Sequence, residues 1–164
     1  NQLKEEGILY STDISGEKLK DLSQSDKESL LYMDELLEGA AARLAAESIT
    51  PDTIGILVEL CEGIKSRNPA SSTRAVRDLN LQFHLLIARA SHNPFLYKSI
   101  AETRDLMRQH HADWAINNEE YTMTERINEK IIRSLQNGDP DASELWMRAA
   151  IQHSKGVYLV STVK

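Results

Sequence analysis

Residues 76–94 read VRDLNLQFHLLIARASHNP, and the spacing within this stretch decides the fold. Val76, Leu79, Phe83, Ile87 and Ala90 recur every three or four positions, which lines one face of an α-helix; a strand would need strict alternation. The run ends in Asn93-Pro94, a capping side chain followed by a proline suited to a helix's first turn. One amphipathic helix therefore stops and another starts with almost no connecting chain.

The same grammar extends in both directions. Upstream, a long helix is expected from about Ser25 to Ser48, with an inward stripe at Leu30, Met33, Leu37, Ala40, Leu44 and Ser48. Thr50-Pro51 opens a second, striped by Ile54, Leu57, Cys61 and Ile64 and ending near Arg67-Asn68-Pro69. The helix quoted above is the third, starting around Ser71 or Ser72. Downstream, a fourth carries Leu96, Ile100, Thr103, Met107 and His110. After a polar stretch from Asn117 to Glu120, a fifth carries Met123, Ile127, Ile131 and Leu135 and stops at Asn137-Gly138, a left-handed stop signal. Asp139-Pro140 opens the sixth, whose inward face reads Ala142, Trp146, Ala149 or Ala150, His153 and Val157. Six amphipathic helices joined by short turns predict an all-α fold, an antiparallel bundle.

Composition agrees and excludes several functions. The 164 residues are 41% hydrophobic and 27% charged, enough for one globular domain with a core. The net charge of −6 opposes direct neutralisation of a phosphate backbone, so DNA contact by these residues is not expected. The single cysteine, Cys61, sits in an apolar stripe and reads as a small core hydrophobe. No apolar run approaches a membrane span and no signal peptide is visible, which makes the cytoplasm the default location. No Ser-His-Asp set, glycine-rich phosphate loop or paired-carboxylate spacing points to an enzyme.

Three stretches resemble a known family. Leu37-Glu38-Gly39-Ala40-Ala41-Ala42-Arg43-Leu44-Ala45-Ala46 looks like the first-helix signature of the FCD domain, the C-terminal domain of the FadR subfamily of GntR transcription regulators. Asn80-Leu81-Gln82-Phe83-His84, followed by Ala90-Ser91-His92-Asn93-Pro94-Phe95-Leu96, resembles the family's Asp/Asn-x-x-Phe-His element and the turn after it. Ile131 to Asp139 is similar to its run into a Gly-Asp turn. In addition, Leu3-Lys4-Glu5-Glu6-Gly7-Ile8-Leu9 resembles the end of a winged helix-turn-helix. Residues 1–20 then read as a remnant of the wing with a linker, and 21–164 as the FCD-like domain. The helix that would read the major groove is expected upstream of Asn1.

The resemblance implies a site in the centre of the bundle. FCD domains bind a small organic acid, frequently over a divalent metal, and act as dimers that relay occupancy to DNA-binding heads. The family's metal set is an Asp or Asn with a His one turn later on the third helix, plus a His on each of the last two. Asn80 and His84 match the first pair, on one helix face. The other positions fall on Asn128 and Ala150, with His153 the nearest histidine. One turn displaces a side chain by about 5 Å, too far for a shell with roughly 2 Å bonds. No tightly held metal is therefore expected, and at most Asn80, His84 and His153 would hold one.

The expected ligand site comprises Asn80, His84 and Asn128, with Arg104 and His153 as further members and a small carboxylate as the effector. Arg104 lies one residue off its helix's stripe and either reaches inward to a carboxylate or lies over the surface. Asp34 stands where the family commonly has an arginine, which weakens a role for the first helix in holding an anion. His110-His111 read as a surface pair, and the charged faces of the first and fifth helices as solvated surface. The reading overall is a ligand-sensing, homodimeric regulator domain that reaches operator DNA only through the absent N-terminal domain. Its rivals are a helical scaffold with no small-molecule ligand and a metal-dependent enzyme on the same bundle, because fold alone does not separate them. A buried, partly polar cavity beside His84 is the discriminating feature.

Overall fold

The computed structural model describes residues 22–67, 69–109 and 118–160. They form six α-helices: α1 (Gln24–Ala46), α2 (Pro51–Lys65), α3 (Pro69–Ala90), α4 (Pro94–Gln109), α5 (Asn118–Gln136) and α6 (Pro140–Val160). No strand occurs among the described residues. The wing and linker expected over residues 1–20, together with His110-His111 and the side chain of Val157, lie outside them.

Local chemistry explains where the helices begin. All four prolines are first residues of helices, namely α2, α3, α4 and α6, where the missing N–H is no loss. Pro69 therefore starts α3 earlier than the serines of the sequence reading. Ser23 and Asp26 form a reciprocal capping box at α1: Ser23 Oγ accepts from Asp26 N at 3.1 Å, and the Asp26 carboxylate accepts from Ser23 N at 3.0 Å. Asn93 Oδ1 accepts from both Phe95 N and Leu96 N at 3.1 Å, and Asp139 Oδ1 from Ala142 N at 3.0 Å. Gly138, at φ 60°, ends α5 in the left-handed conformation, as Asn137-Gly138 signalled.

α1 is the central element, touching α3, α4, α5 and, most extensively, α6. Ala41, Ala42, Ala45 and Ala46 are almost fully buried, so small side chains let the neighbouring helices approach it closely. Around them Ile54, Leu57, Phe83, Ile87, Ile131, Leu135 and Met147 form the main core. Cys61 belongs to it, and burial pushes its thiol up to about 12. The expected stripe of α2 is buried in full.

The stripe of α1 requires correction. The inward residues are Leu31, Asp34, Glu35, Glu38, Gly39, Ala41, Ala42, Ala45 and Ala46, while Met33 and Leu36 stand exposed and Ser48 lies in solvent. The helix is turned about one residue, roughly 100°, from the expected orientation. Its acids face inward because arginines meet them: Arg148 Nε donates to Glu35 Oε1 at 3.0 Å, and Gln152 joins the same oxygen at 3.0 Å. The acidic face of α1 is therefore not solvated surface. On α5, Met123 is exposed instead of buried; Tyr121 turns inward in its place and its hydroxyl donates to the carbonyls of Ile64 and Arg67 at the end of α2.

At Gly39, α6 packs tightly against α1. A Cβ there would lie 2.7 Å from Arg148 Cγ and 3.1 Å from Cδ, on a side chain already pinned by Glu35. Gly39→Val is expected to lose roughly 1–3 kcal/mol by overpacking. Urea denaturation measures this; an unchanged midpoint would mean that α6 moves aside freely.

Candidate functional site

Two groups of polar side chains meet at His84, one on each side of its ring. His84 and Phe83 are adjacent on α3, so the amphipathic register that buries Phe83 brings the imidazole inside as well.

On the first side lies an ionic cluster. Asp34 and Glu38 are one turn apart on α1 and both point at Arg104 of α4. Arg104 Nε donates to Glu38 Oε1 at 2.5 Å, and its terminal nitrogen lies 3.4 Å from Asp34 Oδ2. The other Glu38 oxygen bonds His84 Nδ1, and Arg104 approaches the same ring nitrogen at 3.1 Å. All four groups are buried or nearly so. Burial works to raise the Glu38 carboxyl, but the charge of Arg104 and then the contact with His84 outweigh it and hold the group at about 2. Asp34 behaves in the opposite way. Neither of its oxygens has a hydrogen-bond partner, and burial drives it up to about 7 against the pull of Arg104. Burial likewise lowers His84, opposed by the neighbouring Glu38.

On the second side is a small cavity between α3, α5 and α6, lined by Asn80, His84, Thr124, Ile127, Asn128, Ala150, His153 and Ser154. It has room for about one water molecule. Asn128 Nδ2 donates to Asn80 Oδ1 at 3.1 Å, which ties α5 to α3, and His153 Nε2 donates to the Glu120 carbonyl at 3.3 Å. Of the residues expected from sequence, Asn80, His84, Asn128 and His153 thus surround one space. Arg104 does not line it: the side chain reaches inward, as one of its two readings had it, but to Glu38 and Asp34 of its own chain.

Asp34 and Glu38 were missed as partners. Their signal was present, since two acids one turn apart bordered a run of glycine and alanine, where a helix packs closely and solvated side chains do not fit. An arginine just off the stripe of α4 needed such a partner.

The lining does not suit a tightly bound divalent ion. No group of three or more His, Cys, Asp or Glu side chains able to hold one occurs among the described residues. Asn80 Oδ1 already accepts from Asn128, His153 Nε2 is committed to a carbonyl, and Ala150 offers no donor. An imidazole with no further His, Cys, Asp or Glu grouped beside it does not hold such an ion tightly.

Residues 29–153 match the FCD domain family, and the chain belongs to that family. The fold is shared with E. coli McbR/YncC at a TM-score of 0.78 and 20% identity, over 88% of this chain and 69% of that one. It is also similar to Streptococcus agalactiae GntR at a TM-score of 0.62 and 20% identity, over 82% of this chain and 61% of that one. This chain therefore spans less than two thirds of the streptococcal protein. A search of curated proteins returned no significant match.

Proposed function

We propose that this chain is the effector-sensing domain of a cytoplasmic GntR-type transcription regulator, in which a small molecule seated beside His84 sets the affinity of an attached DNA-binding domain for its operator. The observation that carries this reading is the polar cavity lined by Asn80, His84 and Asn128, which holds about one water molecule as it stands and has to widen to admit an effector. The polar side chains around it are hydrogen-bonded and so cost little to bury, and what favours a sensor over a scaffold is the match of residues 29–153 to the FCD domain. The scaffold reading loses ground for that reason, and the donor set gives the metal-dependent enzyme no support.

A ligand that binds only the native state raises its apparent stability, by about 2.7 kcal/mol at a hundred times Kd. In a thermal-shift screen of small neutral, acidic and basic metabolites, at least one compound is expected to raise Tm, and His84→Ala to abolish the response. His84 is buried and bonded to Glu38, so that variant is also expected to lose about 1–3 kcal/mol of stability. Asn80→Ala, at a half-buried position, serves as the milder control. The reading fails if no compound shifts Tm, or if the shift survives both substitutions.

Homodimerisation is part of the same proposal, because a two-fold sensor matches a pseudo-palindromic operator. Its support is apolar surface on the packed pair α1 and α6, where Tyr32, Met33, Leu36 and Leu145 are exposed. Sedimentation at tens of micromolar is expected to show a dimer; monomer alone would count against it.

A further inference from the structure

We propose that the second half of α4, residues 101–109, is a proton-operated clamp on α1: it stays docked while the cluster of Asp34, Glu38 and Arg104 holds one proton, and it releases when that proton leaves. Nothing in this device depends on what the cavity binds.

The two halves of α4 are held differently. Apolar burial anchors the first: Leu96, Tyr97 and Ile100 pack with Leu37 and Ala41 of α1 and with Leu85 and Ala88 of α3. Beyond Ile100 no side chain of α4 belongs to an apolar core cluster among the described residues, and the buried groups there are Thr103 and, nearly so, Arg104. Among the described residues α4 touches only α1 and α3. This half therefore leaves the bundle with little apolar surface to expose, and its anchor on α1 is a guanidinium.

That anchor has a condition attached. Asp34 and Glu38 meet one guanidinium where water does not reach, so with both acids ionised and His84 neutral one negative charge is left over. Glu38 is the paired acid, bonded to Arg104 and to His84. Asp34 lies 3.4 Å from Arg104 with neither oxygen hydrogen-bonded, so the proton that neutralises the cluster belongs on Asp34. The neighbouring charges do not replace it. Glu35 of α1 is bonded to Arg148 and Gln152 of α6, and Arg108 of α4 to Asp105. On α3, burial disfavours the charged form of His84 against the pull of Glu38, and α5 keeps Arg126, Glu129, Lys130 and Arg133 exposed.

Release admits water to the acids, and Asp34 then behaves as an ordinary carboxyl. Docking raises it from 3.8 to about 7, so the docked form is favoured fully below 3.8 and less as pH climbs. The ratio of released to docked grows by up to about tenfold per pH unit and levels off above 7. Glu38 adds no slope above 4.5, where it is ionised in both forms. Arg104 also approaches His84 Nδ1 at 3.1 Å, so release removes a charged neighbour from the ring beside the cavity. The proton on Asp34 thereby reaches the candidate site through α4.

Native-state amide hydrogen exchange, read residue by residue by NMR on the 164-residue chain across pH 5 to 8 and corrected for the intrinsic pH dependence of exchange, tests the clamp. Amides of residues 101–108 are expected to exchange through a local opening, with protection at least about tenfold below that of the core residues Leu57 and Ile131. Their protection is expected to fall by about tenfold per pH unit between pH 5 and 7 and to change little from 7 to 8. In Asp34→Asn the same amides are expected to be protected tens of times better than in the parent at pH 7 and to lose this pH dependence, because the charge that drives release is gone. Protection equal to that of the core, a flat profile in the parent, or the parent's slope persisting in Asp34→Asn would each overturn the proposal. The first two outcomes are read from the parent alone, so the test does not hang on the variant.

Discussion

Glu38→Ala is expected to be the most damaging single substitution in the chain, lowering stability by about 3–5 kcal/mol at pH 7. Glu38 is 1% exposed and bonds both Arg104 and His84. Removing it leaves a guanidinium inside the protein with only Asp34 at 3.4 Å to answer its charge, and leaves His84 Nδ1 without an acceptor. The penalty is that of an uncompensated buried charge and does not measure the net worth of the pair. Replacing both charged partners with apolar groups, as in Glu38→Leu with Arg104→Met, should accordingly recover most of the loss. Urea denaturation of the two variants provides the measurement. A loss under 1 kcal/mol in the single variant would mean that Arg104 swings out to water and that the cluster does not fix the ring of His84.

Helix existence and order were legible because they depend on short-range signals. Prolines, capping side chains and the stop at Gly138 act within a turn or two of chain, and the apolar spacing of α2 and α3 leaves a single way to bury them. The face of α1 was not legible in the same way. Its large side chains Met33 and Leu36 point to solvent, while three acids and a run of small residues face inward. Sequence hydrophobicity ranks such positions in the wrong order. What reverses the ranking is the location of Arg104 and Arg148, which become neighbours of α1 only after the chain has folded, from 66 and 113 positions away.

The cavity shows a similar division. Asn80 and His84 share one face of α3 by geometry alone, and the family pattern brought in Asn128 and His153. No local signal, however, indicates that Nδ1 of His84 meets a carboxylate. That contact fixes the orientation of the imidazole, while burial, against the pull of Glu38, disfavours its charged form. The position that departs from the family, Asp34, proves to belong to the electrostatic support behind the site, not to its wall.

Asp34→Asn is expected to stabilise the protein at pH 8, by about 1–4 kcal/mol, and to have little effect near pH 4. The direction follows from the two acids on α1 moving oppositely. Glu38 is lowered from 4.5 to about 2, so its contribution is present above pH 4.5 and is lost as pH falls through 2. Asp34 is raised from 3.8 to about 7, so its contribution is complete below 3.8 and is lost as pH rises through 7. Between about pH 4.5 and 7 the Glu38 contribution is constant while that of Asp34 declines, at a limiting slope of about 1.4 kcal/mol per pH unit. Asparagine keeps the shape and removes the charge that burial penalises, and Arg104 retains Glu38 as its direct partner. Thermal denaturation of parent and variant across pH 4 to 8 isolates this group, since the other carboxylates are common to both. Curves that run parallel, or a variant less stable than the parent at pH 8, would show that Arg104 needs both acids and that the ionised form of Asp34 is the one the fold prefers.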